Sequence, residues 1–348
     1  MAYTTVNKST DYFNTKLYTG NGGTQSITGV GFQPDWTWLK SRSNANVHAL
    51  FDAVRGVTKR ISSNDSSAEY TEAGALTAFD SDGFSLGNWT STNGSGHTLV
   101  SWNWKAGTTG SGTTTGSGTG KAYSYSVNTT AGFSIVKYTG NATAGQTIPH
   151  HLGAVPKMII VKILGDVNEW QVYHQSLGNT HRLILNDASA SSDQSNRWND
   201  TTPTSSVFTL GGHSSVNAND LNYIAYCFAE KTGYSKFSSY EGNNNADGTF
   251  VYTGFKPSFI MFKNIDTAGA YWVIKDNKRS ATGGTNENKY VLYPNGNDAE
   301  GTNSSGIDLL SNGFKLRESA AGTNQNTVIY MAIGQSIVGS NNVPATSR

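Results

Sequence analysis

A single cysteine in 348 residues excludes an intrachain disulfide framework and any cysteine-built metal site. It is Cys227, set in the apolar run Tyr-Ile-Ala-Tyr-Cys-Phe-Ala, where it reads as a small core residue rather than a reactive thiol. Charge is also scarce. Asp, Glu, Lys and Arg make up 14% of the chain, against roughly 25% in an average soluble domain. The 25 basic and 24 acidic residues leave a formal charge of +1, so the basic footprint of a nucleic-acid or anionic-membrane binder is missing. No apolar run approaches the roughly 18 residues of a spanning helix. The first residues, Met-Ala-Tyr-Thr-Thr-Val-Asn-Lys, lack the basic and apolar regions of a secretory leader, so synthesis in a cytosol with no membrane insertion is expected. Sustained helical spacing is absent, and 66–76, its best candidate, reads as a loop or a short turn of helix.

What is present is polar and aromatic. Ser, Thr and Asn supply about a third of the residues, and Gly another 39. Eight Trp, 17 Tyr and 14 Phe give the chain enough apolar surface to offset its conformational entropy, which argues against disorder.

These residues recur in one order. Tyr18-Thr-Gly-Asn21, Tyr138-Thr-Gly-Asn141 and Tyr240-Glu-Gly-Asn243 are each followed 16 to 18 residues later by a proline-led apolar run ending in lysine. The runs are Pro34-Asp-Trp-Thr-Trp-Leu-Lys40, Pro156-Lys-Met-Ile-Ile-Val-Lys162 and Pro257-Ser-Phe-Ile-Met-Phe-Lys263. Next come His48-Ala-Leu-Phe-Asp52, Trp170-Gln-Val-Tyr-His174 and Trp272-Val-Ile-Lys-Asp276, which make Asp52, His174 and Asp276 one recurring polar position. Phe84, Phe208 and Phe314 open the following short segments, and each copy closes on an apolar run at Leu99, Tyr223 or Val328. A period near 100 residues is too long for a solenoid repeat, so the copies are tandem domains or lobes of one body. Short β-branched and aromatic runs between Gly, Asn, Asp and Ser turns indicate strands, and consecutive apolar residues in the proline-led runs indicate strands covered on both faces.

The expected architecture is all-β: three tandem antiparallel β-sandwich units, jelly-roll or lectin-like. Unit 1 spans 1–105 with an N-terminal arm, unit 2 spans 121–230 and unit 3 spans 231–335. The Gly/Ser/Thr stretch 106–120 reads as a flexible linker that lets unit 1 move or be held by a partner subunit. A tail, 336–348, is expected to order only against a neighbour.

Signals for chemistry are weak. Asp80-Ser-Asp82-Gly83 resembles the start of a calcium loop, but the glutamate that would close it is replaced by Ser91, so a turn is expected. His150 and His151 are adjacent, and on a strand they would face opposite ways, which spoils chelation. No nucleophile motif or phosphate-binding glycine loop is present. A glycosidase pair of carboxylates needs no motif, yet the glutamates lie in turn-rich segments. The chain is therefore expected to be non-enzymatic, with no cofactor, catalytic residue or metal ligand assigned. Most tryptophans align with Met, Ile, Tyr or Phe in other copies, as core positions permit. Trp89 and Trp198 fall outside those runs and are the candidates for glycan or partner contact.

The chain resembles a family of virion structural or tail-associated proteins of marine bacteriophages, of the cyanophage type. The resemblance is carried by Asp11-Tyr-Phe-Asn-Thr-Lys-Leu-Tyr-Thr-Gly-Asn-Gly22, by Gly31-Phe-Gln-Pro-Asp-Trp-Thr-Trp-Leu-Lys-Ser-Arg42 and by His48-Ala-Leu-Phe-Asp-Ala-Val-Arg-Gly56. It continues through 79–87, 197–208 and 307–317. It implies a virion protein, on the particle exterior as capsid decoration or as a head- or tail-fibre component, but no catalytic residues. The implied partners are other virion proteins and further copies of the chain. The alternative is a carbohydrate-binding adhesin for a host surface glycan, and less favoured still a glycan depolymerase.

Overall fold

The computed structural model describes residues 4–279 and 287–336; all but the first residue of the expected tail at 336–348 lies outside them. Strands take 48% of the chain and helix 5%, so the protein is all-β, built of antiparallel sandwiches as its composition predicts.

Each copy of the repeat forms the same principal sheet. In the first, the order is Phe13–Thr19, Thr98–Trp104, Trp36–Ser41, Ala49–Asp52. In the second, the equivalent strands Phe133–Thr139, Asn222–Ala229, Pro156–Ile163 and Gln171–His174 lie in that order within an eight-stranded sheet. In the third they are Ser235–Asn243, Gln325–Ser336, Phe255–Asn264 and Val273–Asp276. A second sheet of three or four strands, containing Gly83–Leu86, Val207–Leu210 or Gly313–Leu316, covers one face of each.

Alternation along the proline-led strands explains why they are apolar at consecutive positions. Trp36 and Trp38, Met158 and Ile160, and Phe259 and Met261 all point into one central cluster shared by the three copies. Leu39, Ile159 and Phe262 point the other way, each into the private core of its own sandwich. One run of residues thus serves two cores. At the centre Trp36 stacks on Tyr226 of the second copy at 4.3 Å and lies 4.3 Å from Trp104, while Phe13 and Trp102 of the first copy meet Phe259 of the third at 5.4 and 6.0 Å.

The stretch 106–120 does not behave as the flexible linker its composition suggests. Thr108–Thr113 pairs antiparallel with Ala122–Asn128, and Thr115–Gly116 pairs with Gln146–Pro149. Unit 1, whose core residues share one cluster with the other two copies, is not free to move. The glycines have a local purpose here: a Cβ on Gly110 would meet the Tyr125 hydroxyl at 2.6 Å, and one on Gly112 the Tyr123 hydroxyl at 2.8 Å. The neighbouring strand's tyrosines lie over them, which holds an otherwise featureless strand in register.

The Tyr-x-Gly-Asn element is a staple between the first strand and the loop before the last strand. Tyr18, Tyr138 and Tyr240 donate their hydroxyls to the carbonyls of Thr92, Val216 and Thr323. The next residues, Asn93, Asn217 and Asn324, accept from the backbone N–H of Asn21, Asn141 and Asn243. The intervening glycine is required by close approach, since a Cβ on Gly20 or Gly140 would stand 2.3 Å from a carbonyl oxygen. Asn93 is fully buried and also donates to the carbonyls of Gly23 and Gly87 at 2.7 and 2.8 Å. Asn93→Ala is expected to lower stability by about 1–3 kcal/mol through the groups left unpaired; an unchanged urea midpoint would contradict this role.

Candidate functional site

Buried titratable side chains gather where the three copies meet, and these seams repeat one pattern of bonds. The ring N–H groups of His48, Trp170 and Trp272, at equivalent positions, reach the carbonyls of Tyr293, Ser62 and Ile184 in a neighbouring copy at 3.0, 2.9 and 2.8 Å. The repeated lysines make the next set. Lys40 Nζ donates to the carbonyl of Asn297, Lys162 to Ser66 and Lys263 to Ala188, at 3.2, 3.1 and 3.3 Å. Three backbone N–H groups close the pattern: Glu69 to Leu164, Ser191 to Ile265 and Glu300 to Arg42, at 2.9, 2.8 and 2.7 Å. Each seam thus joins one copy to the next, and the third returns to the first.

The recurring polar position completes each seam with different chemistry. Asp52 accepts from the Tyr226 hydroxyl at 2.8 Å and from Arg55 Nε at 2.5 Å, and Arg55 also pairs with Glu69 at 3.0 Å. Asp276 accepts from Trp102 Nε1 at 2.9 Å and from Arg279 Nε at 2.5 Å, while Arg279 pairs with Glu300 at 2.9 Å. In the second copy His174, Leu177 and Ser191 occupy the same places. Acid, arginine and second acid appear together or are all replaced, as the cost of an unpaired buried charge demands.

Burial sets the ionisation of this layer. It lowers Lys40, Lys162 and Lys263 to about 8, against the pull of nearby carboxylates. It lowers His174 to about 4, and holds His48 well below its ordinary value. Nδ1 of His48 accepts from Trp38 Nε1 at 2.7 Å, so Nε2 carries the proton given to Tyr293. Tyr226 is pushed up, first by burial and then by Asp52. The side chains of Asp52, Arg55, Asp276 and Arg279 are at most 1% exposed, leaving no path for a substrate. What this arrangement does chemically is bind one copy to another.

The residues singled out from the sequence lie elsewhere and apart. Trp198 is 1% exposed and packs edge-on against Tyr173 at 5.9 Å; it is a core residue, because the short helix Ser195–Trp198 turns its ring under the second sandwich, and it is no contact residue. Trp89 is half-buried, with the Arg60 guanidinium 5.1 Å from its ring and 4.7 Å from that of exposed Tyr70. Asp82 accepts the backbone N–H of Gly29 and Gly31 at 2.9 and 2.6 Å, a turn role. His150 is buried against the Thr204 carbonyl, while His151 stacks on Tyr125 at 3.7 Å, so the two rings diverge. No metal-holding group of three or more His, Cys, Asp or Glu occurs among the described residues.

A family model matches residues 8–336, all three copies and the seams between them. The chain belongs to DUF7483. This family is described as a domain of unknown function, so membership in DUF7483 assigns no activity. No curated protein matches. Among solved structures, the crystal structure of the STIV MCP aligns with 11% identity over 70% of this chain and 96% of that one, at a TM-score of 0.19; so low a score carries no argument about the fold of a DUF7483 protein.

The seam lysines were visible in the sequence as a charged residue closing an apolar run at constant spacing, which is the signal by which a buried, bonded cation is found. Their acceptors were not visible, because backbone carbonyls have no side-chain signature. Arg279→Met leaves Asp276 and Glu300 buried without their shared partner and is expected to cost about 3–5 kcal/mol; a loss under about 1 kcal/mol in denaturant titration would contradict the role of this buried set. The lysines give a second test. With folded values near 8 and an unfolded value near 10.4, the folded chain holds fewer protons between these limits, so these groups make stability rise with pH. Between pH 8 and 9.5, below tyrosine ionisation, Lys162→Met should flatten that rise; an identical slope in the variant would contradict it.

Proposed function

We propose that this chain is a non-enzymatic structural protein of a bacteriophage particle, carried on the exterior as capsid decoration or as a head- or tail-fibre component. The observation that carries this reading is the closed ring: three sandwiches share one core, and buried hydrogen bonds across their seams, such as those of Tyr226 to Asp52 and Trp102 to Asp276, hold one copy to the next. Within one chain this provides the arrangement that a homotrimer reaches by association. A body whose parts share a core opens only at the cost of the whole core, which suits a protein displayed outside the cell. Its largest sheet ends in the Gly/Thr strand Thr108–Thr113 and the two-residue strand Ser192–Asp193, edges that discourage uncontrolled pairing. The likeness to marine phage virion proteins supports the same reading.

A glycan-binding adhesin is the second reading. It rests on the Trp89, Arg60 and Tyr70 stack, with an aromatic face partly open to solvent.

Purified particles of the phage encoding this chain should contain it in many copies, and cryo-electron microscopy should place a three-lobed density of its size on the outer surface. Absence from purified particles, or cleavage of a host polysaccharide by the purified chain, would overturn the structural reading.

A further inference from the structure

The three seams act as internal controls for one another, and one of them departs from the pattern. Thr15 pairs with Trp102 in the same register in which Ile135 pairs with Tyr226 and Phe237 with Met331. Ile135 and Phe237 fill the shared core there. Thr15 places a hydroxyl at that position instead, 5% exposed as a residue and with no hydrogen-bond partner for the oxygen. A buried hydroxyl without a partner costs stability and calls for an explanation.

Thr15 lines a partly enclosed cavity of about 180 Å³ between the first and third copies, together with Asn14, Lys256, Ser258, Lys278 and Gln335. Lysine stands both before the proline and two residues after the recurring polar position only in the third copy; the corresponding pairs are Gln33 with Val54 and Val155 with Ser176. The acids are missing as well. At the seam between copies one and two, Asp35 accepts the N–H of Ala106 at 2.8 Å, and between two and three Glu230 accepts that of Phe237 at 3.2 Å. The residue in Glu230's place at the third seam is Gln335, whose side-chain oxygen accepts from Ser9 N–H at 2.8 Å. The cavity therefore collects two cations, amides and hydroxyls, and no carboxylate lines it.

We infer that this cavity is a binding site for a small oxyanion: a sulfate, or the carboxylate of one acidic sugar residue. The two lysines supply charge, and Asn14 and Gln335, whose amide nitrogens each give one hydrogen to the carbonyls of Val30 and Asn7, have a second N–H each to fix orientation; the wholly enclosed Thr15 oxygen takes no part. Pockets for drug-sized ligands run to about 300–1,000 Å³, so the space fits one such group and not an extended chain. The site is independent of the structural role proposed above, which stands whether or not an anion binds.

Titration calorimetry of the full chain with sodium sulfate, glucuronate and glucose at low ionic strength tests it. Both anions should bind, and glucose should not. Lys256→Gln/Lys278→Gln should weaken anion binding by about tenfold or more with an unchanged Tm, since neither lysine supports the fold. Thr15→Val, which removes a hydroxyl that does not reach the cavity, should leave anion binding unchanged and Tm equal or higher. Glucuronate tighter than sulfate assigns the site to an acidic sugar, and sulfate tighter assigns it to the inorganic ion. No binding of either anion, equal binding of glucose, or full affinity in the double-lysine variant overturns the site.

Discussion

Each principal sheet has two apolar faces, and only one of them is covered by its own sandwich. The other must be covered by something else, because a bare face of Trp36, Trp38, Trp102 and Trp104, or of Met158, Ile160, Tyr226 and Phe228, would be a large exposed patch on an isolated domain. The three copies solve this mutually, packing those faces into one cluster. Everything else in the architecture follows from that shared core: the return of the third copy to the first, the position of the seams, and the burial of groups as costly as Lys40 and Arg279.

The seams show how near-symmetric copies diverge under physical constraint. Their invariant part is neutral or backbone-directed: a ring N–H, an ammonium and a peptide N–H, each reaching a carbonyl of the next copy. Backbone acceptors tolerate sequence drift, so Ser62, Ile184 and Tyr293 can differ freely while their carbonyls stay in place. The variable part is ionic. Asp52 and Asp276 keep complete sets of partners, whereas the second copy has replaced acid, arginine and second acid together and placed a neutral histidine there. At the third seam the divergence has gone further, leaving two lysines on an open space.

Much of this was legible in the amino-acid order. The repeats, the strands covered on both faces and the buried tryptophans follow from spacing and from which residues exchange between copies. Two inferences failed for identifiable reasons. Residues 106–120 looked like a linker because Gly, Ser and Thr carry no apolar pattern, yet strand pairing is a backbone property and the missing side chains make room for Tyr123 and Tyr125. Trp198 looked exposed because it lies outside the repeated runs; the short helix that carries it has no repeat counterpart to reveal its packing. Assembly of the copies into one ring was not legible, since a shared core leaves the same pattern of apolar residues as three separately covered ones.

Structural and ligand-binding roles are compatible in such a body: a rigid ring supplies three related seams, and one seam can acquire a ligand without loosening the others. The claim on which this rests is that the copies do not fold independently. Equilibrium unfolding of the full chain in guanidinium, followed by tryptophan fluorescence and far-ultraviolet circular dichroism, tests it most directly. One coincident transition, with a denaturant slope appropriate to the whole chain rather than to a unit of about 100 residues, is the predicted result. Two or more separable transitions, with unit-sized slopes, would contradict a shared core.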